Sequence, residues 1–277
     1  MSPVRKIQEE HRIVGRTEEL TMALAILDTG RHLLLEGPVG VGKTTVALAV
    51  CRHKDRQTFR VDGDERYTEN KLTGWFDPQL VLKSGYGPQS FFNGPLAEAM
   101  SAGAILFINE LNRMPEAVQN VLLPALDEGM LILPQIGALK ALPGFQVIAT
   151  QNPVEYIATG HLSEALKDRF EHVVLNYQNA EEETAIVRQV TGCRDATLIR
   201  EAVALVRATR GHPKFKKGAS VRAAIAIVAI ATQLKTPDAL RRAAAAALAT
   251  RVELRDDEAR DFPTVLHELQ SELKKKA

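Results

Sequence analysis

Hydrophobic and polar positions follow two regimes along this chain. Up to about residue 177, short continuous apolar runs of strand length alternate with stretches of helical period. The runs at 32–36, 58–61, 104–108, 145–150 and 172–175 read as strands, most of them buried. Helical period appears from Thr17, from about Lys43 to Cys51, and over 115–128, where Val118, Val121, Leu122, Ala125 and Leu126 share a face and Pro115 suits a first turn. Thr17 is the expected cap of the first of these, with Glu18 and Glu19 at its positive end. Residues 130–142 predict a hairpin with Gly137 near its tip. Residues 71–93, crowded with glycine, proline and aromatics, predict a surface insertion. After Tyr177 every stretch reads as helix: 180–191, 195–210, 219–234, 237–250 and 263–275. The switch in period predicts an α/β domain over 15–177 and an all-helical domain over 178–277, preceded by an N-terminal arm at 1–14.

Composition narrows the class without naming a function. With 277 residues, 45% hydrophobic and 25% charged, the chain has the make-up of an ordinary globular protein large enough for two domains. A net charge of +1 argues against nucleic acid or a membrane surface as the main partner. The opening MSPVRKIQEEHR has no apolar segment, so no secretory signal is expected. The apolar run at 223–232 is too short to span a bilayer and reads as a buried helix. The alanine tract 243–247 reads as close helix–helix packing. Two cysteines, Cys51 and Cys193, with no pairing motif, fit a cytoplasmic protein.

The chemistry is concentrated at strand ends. Residues 37–44 read GPVGVGKT between a strand and a helix, the context that separates a phosphate loop from a glycine-rich turn. The expected nucleotide contacts are Gly37, Pro38, Val39, Gly40, Val41, Gly42, Lys43, Thr44 and Thr45. Glycines let backbone amides line an anion nest, and the following helix adds its positive end. Lys43 would reach the β- and γ-phosphates of ATP, and Thr44 would ligate Mg2+. The run Ile105–Ile108 delivers Asn109 and Glu110 at its carboxyl end. Glu110 can polarise a water for in-line attack, while Asn109 stands where an aspartate bound to Mg2+ is ordinarily expected, and should hold the ion less well. Asn152 ends another apolar run and could position the attacking water, or simply form an Asn-Pro turn. Arg169, just before a strand, could stabilise phosphoryl charge from a neighbouring subunit, an effect of about 10³–10⁵ in rate, or be a solvated helix-end charge. Arg113 is a second candidate for that task. Arg222, in the first turn of a helix where a cation is slightly unfavourable, could report nucleotide state.

Together these motifs resemble those of MoxR-type AAA+ ATPases. The resemblance rests on Val14-Gly15-Arg16, GPVGVGKT at 37–44, GPLAEAM at 94–100, ILFINELNRMPEAVQNVLLPALDEG at 105–129, VIATQNP at 147–153, LSEALKDRF at 162–170 and GASVRA at 218–223. It implies a P-loop NTPase fold of AAA+ type, a five-stranded parallel αβα core followed by a small helical lid. It implies a homo-oligomeric ring, usually hexameric, with ATP and Mg2+ between subunits. Lys43 and Thr44 then match Walker A, Asn109 and Glu110 Walker B, Asn152 sensor 1, Arg169 the arginine finger and Arg222 sensor 2. Residues 71–93 match the helix-2 insert, and 130–142 the hairpin after it. The implied role is a chaperone that remodels or activates a protein client, often one with a von Willebrand factor A domain. Trp75, Phe76, Tyr86, Phe91 and Phe92 could grip such a partner or pack the insert onto its own core. Two alternatives remain: a slowly hydrolysing binding switch, suggested by Asn109, and a DNA-acting motor, supported only by the basic runs at 214–217 and 274–276. A small GTPase and a metal hydrolase lack their motifs.

Overall fold

The computed structural model describes residues 2–153, 162–234, 236–255 and 262–276. They divide into two compact units: Met1–Pro38 with Gly42–Asn176, and Val39–Val41 with Tyr177–Ala277.

In chain order the first unit opens with α1 (Pro3–His11), α2 (Thr17–Asp28), β1 (His32–Glu36), α3 (Lys43–His53) and β2 (Thr58–Asp62). It continues with α4 (Glu69–Thr73), β3 (Gly74–Phe76), α5 (Pro78–Ser84), β4 (Phe91–Asn93), α6 (Pro95–Ala102) and β5 (Ile105–Asn109). It closes with α7 (Glu116–Asn120), α8 (Leu122–Asp127), β6 (Met130–Leu133), β7 (Gly137–Lys140), β8 (Gln146–Gln151), α9 (Glu164–Lys167) and β9 (Phe170–Val174). Five strands form one sheet in the order β2-β5-β8-β1-β9, with every pairing parallel. Ile105, Leu106, Phe107 and Ile108 of β5 are all 0% exposed, so this strand is covered on both faces. Each such side chain contributes about 1.5–3 kcal/mol by leaving water, an upper figure against a compact unfolded chain. The order sets β8 between β5 and β1. Three carboxyl ends therefore lie side by side, the place where open parallel sheets bind ligands.

Several local expectations are corrected. The arm expected over 1–14 contains a helix. Ser2 caps α1 by accepting a hydrogen bond from the Arg5 N–H at 3.3 Å, and Ile7 is fully buried. Gln8 then ties the helix down by donating to the Gly15 carbonyl at 2.6 Å and the Thr17 hydroxyl at 3.1 Å. Thr17 does not cap α2; it lies inside the first turn, and Arg16, in a left-handed conformation at φ 62°, is the cap. Arg16 is held by Glu19 at 2.6 Å and by donation to the Asn176 carbonyl at 2.7 Å. The helix expected over 115–128 is two short ones that meet at Val121. Pro124 has no N–H to offer the carbonyl one turn back, which breaks the ladder there. The insert at 71–93 contains an antiparallel ribbon of β3 and β4, and β6 and β7 form the second hairpin.

The second unit contains α10 (Ala180–Thr191), α11 (Ala196–Gly211), β10 (Phe215–Lys217), α12 (Val221–Leu234), α13 (Ala239–Leu248), β11 (Glu253–Leu254) and α14 (Phe262–Lys276). It is not purely helical, because β10 and β11 pair as an antiparallel ribbon. Ala223, Ala224, Ala243, Ala244 and Ala247 are buried together, so small side chains let α12 and α13 approach closely. Glu183 of α10 is also buried, and its carboxylate is met by Arg210 at 2.8 Å and Arg207 at 3.2 Å. The Arg210 guanidinium lies 4.0 Å over the Tyr177 ring.

If α1 belongs to the folded core, Ile7→Ala should destabilise the protein by about 2–4 kcal/mol in denaturant unfolding. An unchanged unfolding midpoint would show instead that residues 1–14 are dispensable.

Candidate functional site

The loop between β1 and α3 is bent by three glycines with positive φ: Gly37 at 155°, Gly40 at 80° and Gly42 at 97°. Gly42 is the N-cap of α3 and supplies no side-chain acceptor to the first-turn amides. A helix start of that kind offers its N–H groups to an anion. Lys43 is buried, and its ammonium donates to the Gly37 carbonyl at 2.6 Å and the Pro38 carbonyl at 2.9 Å. The side chain is thus curled over its own loop. Further along α3, Cys51 is an inert core thiol, its pKa pushed up to about 11 by burial.

One carboxamide joins the strand ends. Asn109 Oδ1 accepts from the Thr44 hydroxyl at 2.8 Å and from the Thr150 hydroxyl at 3.1 Å. Its Nδ2 donates to Asp62 Oδ1 at 2.9 Å. The amide orientation follows from these partners: hydroxyl donors on one side, a carboxylate on the other. Asp62 is also held by Arg60, through Nη2 at 2.8 Å and Nε at 3.1 Å. The Arg60 hydrogen bonds first, and the Asn109 amide after them, keep the Asp62 carboxyl below the usual carboxylate range.

Glu110 follows in a left-handed conformation, φ 58°, at the entry to a single 3₁₀ turn. Its N–H donates to Thr150 Oγ1 at 2.8 Å, and its carboxylate pairs with Arg113 at 2.9 Å. Such a conformation costs a residue with a Cβ about 1–3 kcal/mol and persists where surroundings impose it. Gly63 is part of that surrounding. It donates to the Asn109 carbonyl at 2.7 Å, and a Cβ on it would lie 2.1 Å from the Glu110 carbonyl oxygen. Asn152 is buried beyond the end of β8, and its backbone exchanges long hydrogen bonds of 3.4 and 3.5 Å with the Asn112 side chain. Glu36, at the end of β1, accepts from Gln151 and meets His172 at 3.2 Å.

The structure brings Thr44, Asn109 and Glu110 into one hydrogen-bonded unit. Arg169 is engaged elsewhere, donating through Nε to Asp127 at 2.9 Å and through Nη1 to the Ala165 carbonyl at 2.6 Å. Arg222 is the second residue of α12 and belongs to the second unit. Of the insert aromatics, Trp75 and Phe92 are exposed and stacked with ring centroids 6.0 Å apart. Phe91 packs against the main core and Phe76 meets it edge-on, so these two serve largely to fold the insert, whereas Tyr86, edge-on to Phe76, is itself exposed. A surface cleft of about 740 Å³ between α1, α2 and the end of α3 shares no lining residue with the strand ends. Sequence reasoning missed Asp62, Gly63 and Thr150. The Asp-Gly pair after a strand was a turn signal, and Thr150 lay in a run read as a buried strand with no role of its own.

The family profile described as AAA domain (dynein-related subfamily) matches residues 32–170, from the first residue of β1 to the first of β9. The chain belongs to this family. The MoxR-type resemblance is borne out by its curated relatives. Gas vesicle ATPase GvpN2 of Halobacterium salinarum is 33% identical over 229 residues, 77% of this chain and 66% of the relative. Gas vesicle ATPase GvpN of Haloferax mediterranei is 33% identical over 215 residues, 72% of this chain and 61% of the relative. The chain thus spans a little less than two thirds of the length of these relatives. Among solved structures, a mutant RuvB from Thermotoga maritima superposes with a TM-score of 0.58 at 18% identity, covering 96% of this chain and 79% of that one. NtrX from Brucella abortus in complex with ADP gives 0.57 at 19%, covering 84% and 53%. At such identities the likeness is one of fold. The AAA+ P-loop fold expected from the motifs, with its five-stranded parallel sheet, is therefore borne out. Among the described residues no helix is long and apolar enough to cross a membrane.

Thr150→Val should remove the acceptor of the Glu110 N–H and one donor to Asn109 while keeping the side chain's shape. A loss of about 1–3 kcal/mol in urea unfolding is expected, with Thr150→Ser recovering most of it. Equal stability of the Val variant and the native protein would mean that the hydroxyl does not organise the strand ends.

Proposed function

We propose that this chain is an ATPase that works as a homo-oligomeric ring, in the AAA+ manner usually a hexamer, and uses ATP to remodel or activate a partner protein. The observation that carries the reading is the Asn109 carboxamide. It links the hydroxyl of the phosphate loop to the strand end that bears Glu110.

In this reading residues 37–45 wrap the phosphates, and Lys43 leaves the Gly37 and Pro38 carbonyls to meet the β- and γ-phosphates. The donors at one end of Asn109 fit a magnesium ion: Thr44 Oγ1 and Asn109 Oδ1 are both hard oxygen groups. Thr44 would hold the ion directly and Asn109 through a bound water, and the ion would supply positive charge to offset that of the phosphates. Glu110 orients the attacking water with help from Asn152. Its ion pair with Arg113 is half exposed, so releasing it costs no more than about 1 kcal/mol. Arg169 serves the γ-phosphate of the neighbouring subunit, exchanging Asp127 for a phosphoryl oxygen. Arg222 carries nucleotide state to the second unit. A protein with a von Willebrand factor A domain is the class of client that the MoxR-type motifs suggest, and the exposed Trp75–Phe92 stack is a surface such a client could cover. The cytoplasm is the compartment that suits this work. A second reading, a slowly hydrolysing switch, is favoured by one residue, the neutral Asn109.

Glu110→Gln should keep nucleotide binding and lower turnover by about 10²-fold or more, whereas Lys43→Ala should abolish binding. Arg169→Ala should lower turnover by about 10³-fold with nucleotide still bound. Mixing the Glu110→Gln and Arg169→Ala proteins should restore part of the activity, since each supplies what its neighbour lacks. Absence of any recovery would end the inter-subunit reading, and retained turnover in Glu110→Gln would end the assignment of that glutamate.

A further inference from the structure

Asn109 invites a question that its own strand does not answer. A magnesium shell beside a triphosphate draws on negative charge, and Asn109 has none. The neighbouring strand carries that charge. In the parallel register of β2 and β5, Asp62 is the direct partner of Asn109. Its carboxylate oxygen lies 2.9 Å from Asn109 Nδ2, while the other end of the same carboxamide receives the Thr44 hydroxyl at 2.8 Å. The chain of groups runs Asp62, Asn109, Thr44, with no gap.

The same contact explains why an amide occupies position 109. A carboxylate there would face the Asp62 carboxylate at hydrogen-bond distance, and two like charges so placed repel strongly. An amide can instead offer its N–H₂ to Asp62 and its oxygen to the two hydroxyls. One negative charge then serves both strand ends, held on β2. Arg60 lies two residues earlier on the same face of β2, orients the Asp62 carboxylate through two hydrogen bonds, and is itself about half exposed.

We propose that Asp62 is the magnesium-positioning carboxylate of this nucleotide site, acting through the Asn109 carboxamide, and that Asp62 and Asn109 are a matched pair whose charge has moved from one strand to the next. The inference rests on the nucleotide-binding reading above. Asp62 need not touch the nucleotide. It orients Asn109 and draws the ion's bound waters toward the strand ends.

The test is the ratio of nucleotide affinities with and without the ion. Binding of a fluorescent, non-hydrolysable ATP analogue is measured in EDTA and in Mg2+ for the native protein, Asp62→Asn, Asn109→Asp and the double exchange Asp62→Asn/Asn109→Asp. Asp62→Asn should reduce the tightening produced by Mg2+ about tenfold while leaving the affinity in EDTA unchanged or slightly improved. Asn109→Asp alone should gain nothing over the native protein, because it places two carboxylates together. The double exchange should recover the native ratio. The native protein, Asp62→Asn and the double exchange should share a similar unfolding midpoint, since the exchanges are nearly isosteric and Asp62 is exposed, whereas Asn109→Asp alone should unfold earlier. A native ratio in Asp62→Asn, or an Asn109→Asp protein that binds Mg2+ more tightly than the double exchange, would overturn the pairing. Failure of the native protein to bind the analogue in either condition would overturn the nucleotide site itself, and the pairing with it.

Discussion

The first unit depends on a hydrogen-bond geometry that only a carboxamide can satisfy. Asn109 faces two hydroxyl donors with its oxygen and one carboxylate with its nitrogen. Thr44 comes from the phosphate loop, Thr150 from β8 and Asp62 from β2, so four segments distant in sequence meet at one side chain. A carboxylate would repel Asp62, and an apolar group would leave all three partners without these bonds. Charge-assisted bonds such as the one to Asp62 are worth roughly twice a neutral one. The network is therefore both a fastening for the strand ends and a frame for the residues beside it.

That frame is rigid for a reason that begins in the sheet. The strand carrying Asn109 is fully buried along its apolar run, and its neighbours on both sides run parallel to it. Sliding such a strand by one residue would exchange every side chain between faces, so its register is strongly held. Glu110 can then be kept in a left-handed turn. Its N–H is fixed to Thr150 on one side, and Gly63 leaves room for its carbonyl on the other. The cost of that conformation is met by the packing beneath it, and the result is a carboxylate delivered at a strand end instead of buried in the next helix.

Much of this was legible in the sequence because the informative signals were local. Continuous apolar runs marked all five core strands to within a residue or two. The glycine spacing of 37–42 gave the loop, and Asn109-Glu110 at the end of such a run gave the candidate site. What escaped notice was either a matter of register or of packing at a distance. Asp62 belongs to the site only because β2 lies beside β5, and nothing within residues 58–64 says so. Thr150 looked like one more member of an apolar run, although its hydroxyl serves two partners. The amphipathic start of the chain held a fully buried Ile7, yet its polar composition suggested an arm. The helix over 115–128 was broken by Pro124, a residue whose effect outweighs the helical period around it. The β10–β11 ribbon joins two segments some forty residues apart, each too short to show a period.

The arginines remain, and their present partners bear on how such a machine rests. Arg113 holds the carboxylate of Glu110, and Arg169 holds Asp127. Both pairs are partly open to solvent, where an ion pair is worth at most about 1 kcal/mol. Neither contact could hold a closed state against the charge of a triphosphate, whose oxygens offer an arginine stronger, shorter bonds. Exposed pairs of this kind are well suited to exchange, because the loss is small in either direction. A buried pair, such as Glu183 with Arg210 in the second unit, would resist it, since removing one partner there leaves a charge without water. The chain thus has a buried ion pair within the second unit, and exposed ones at the groups proposed to move. In the proposed ring, nucleotide would shift the resting arrangement by out-competing two weak contacts, without having to unmake any part of the core.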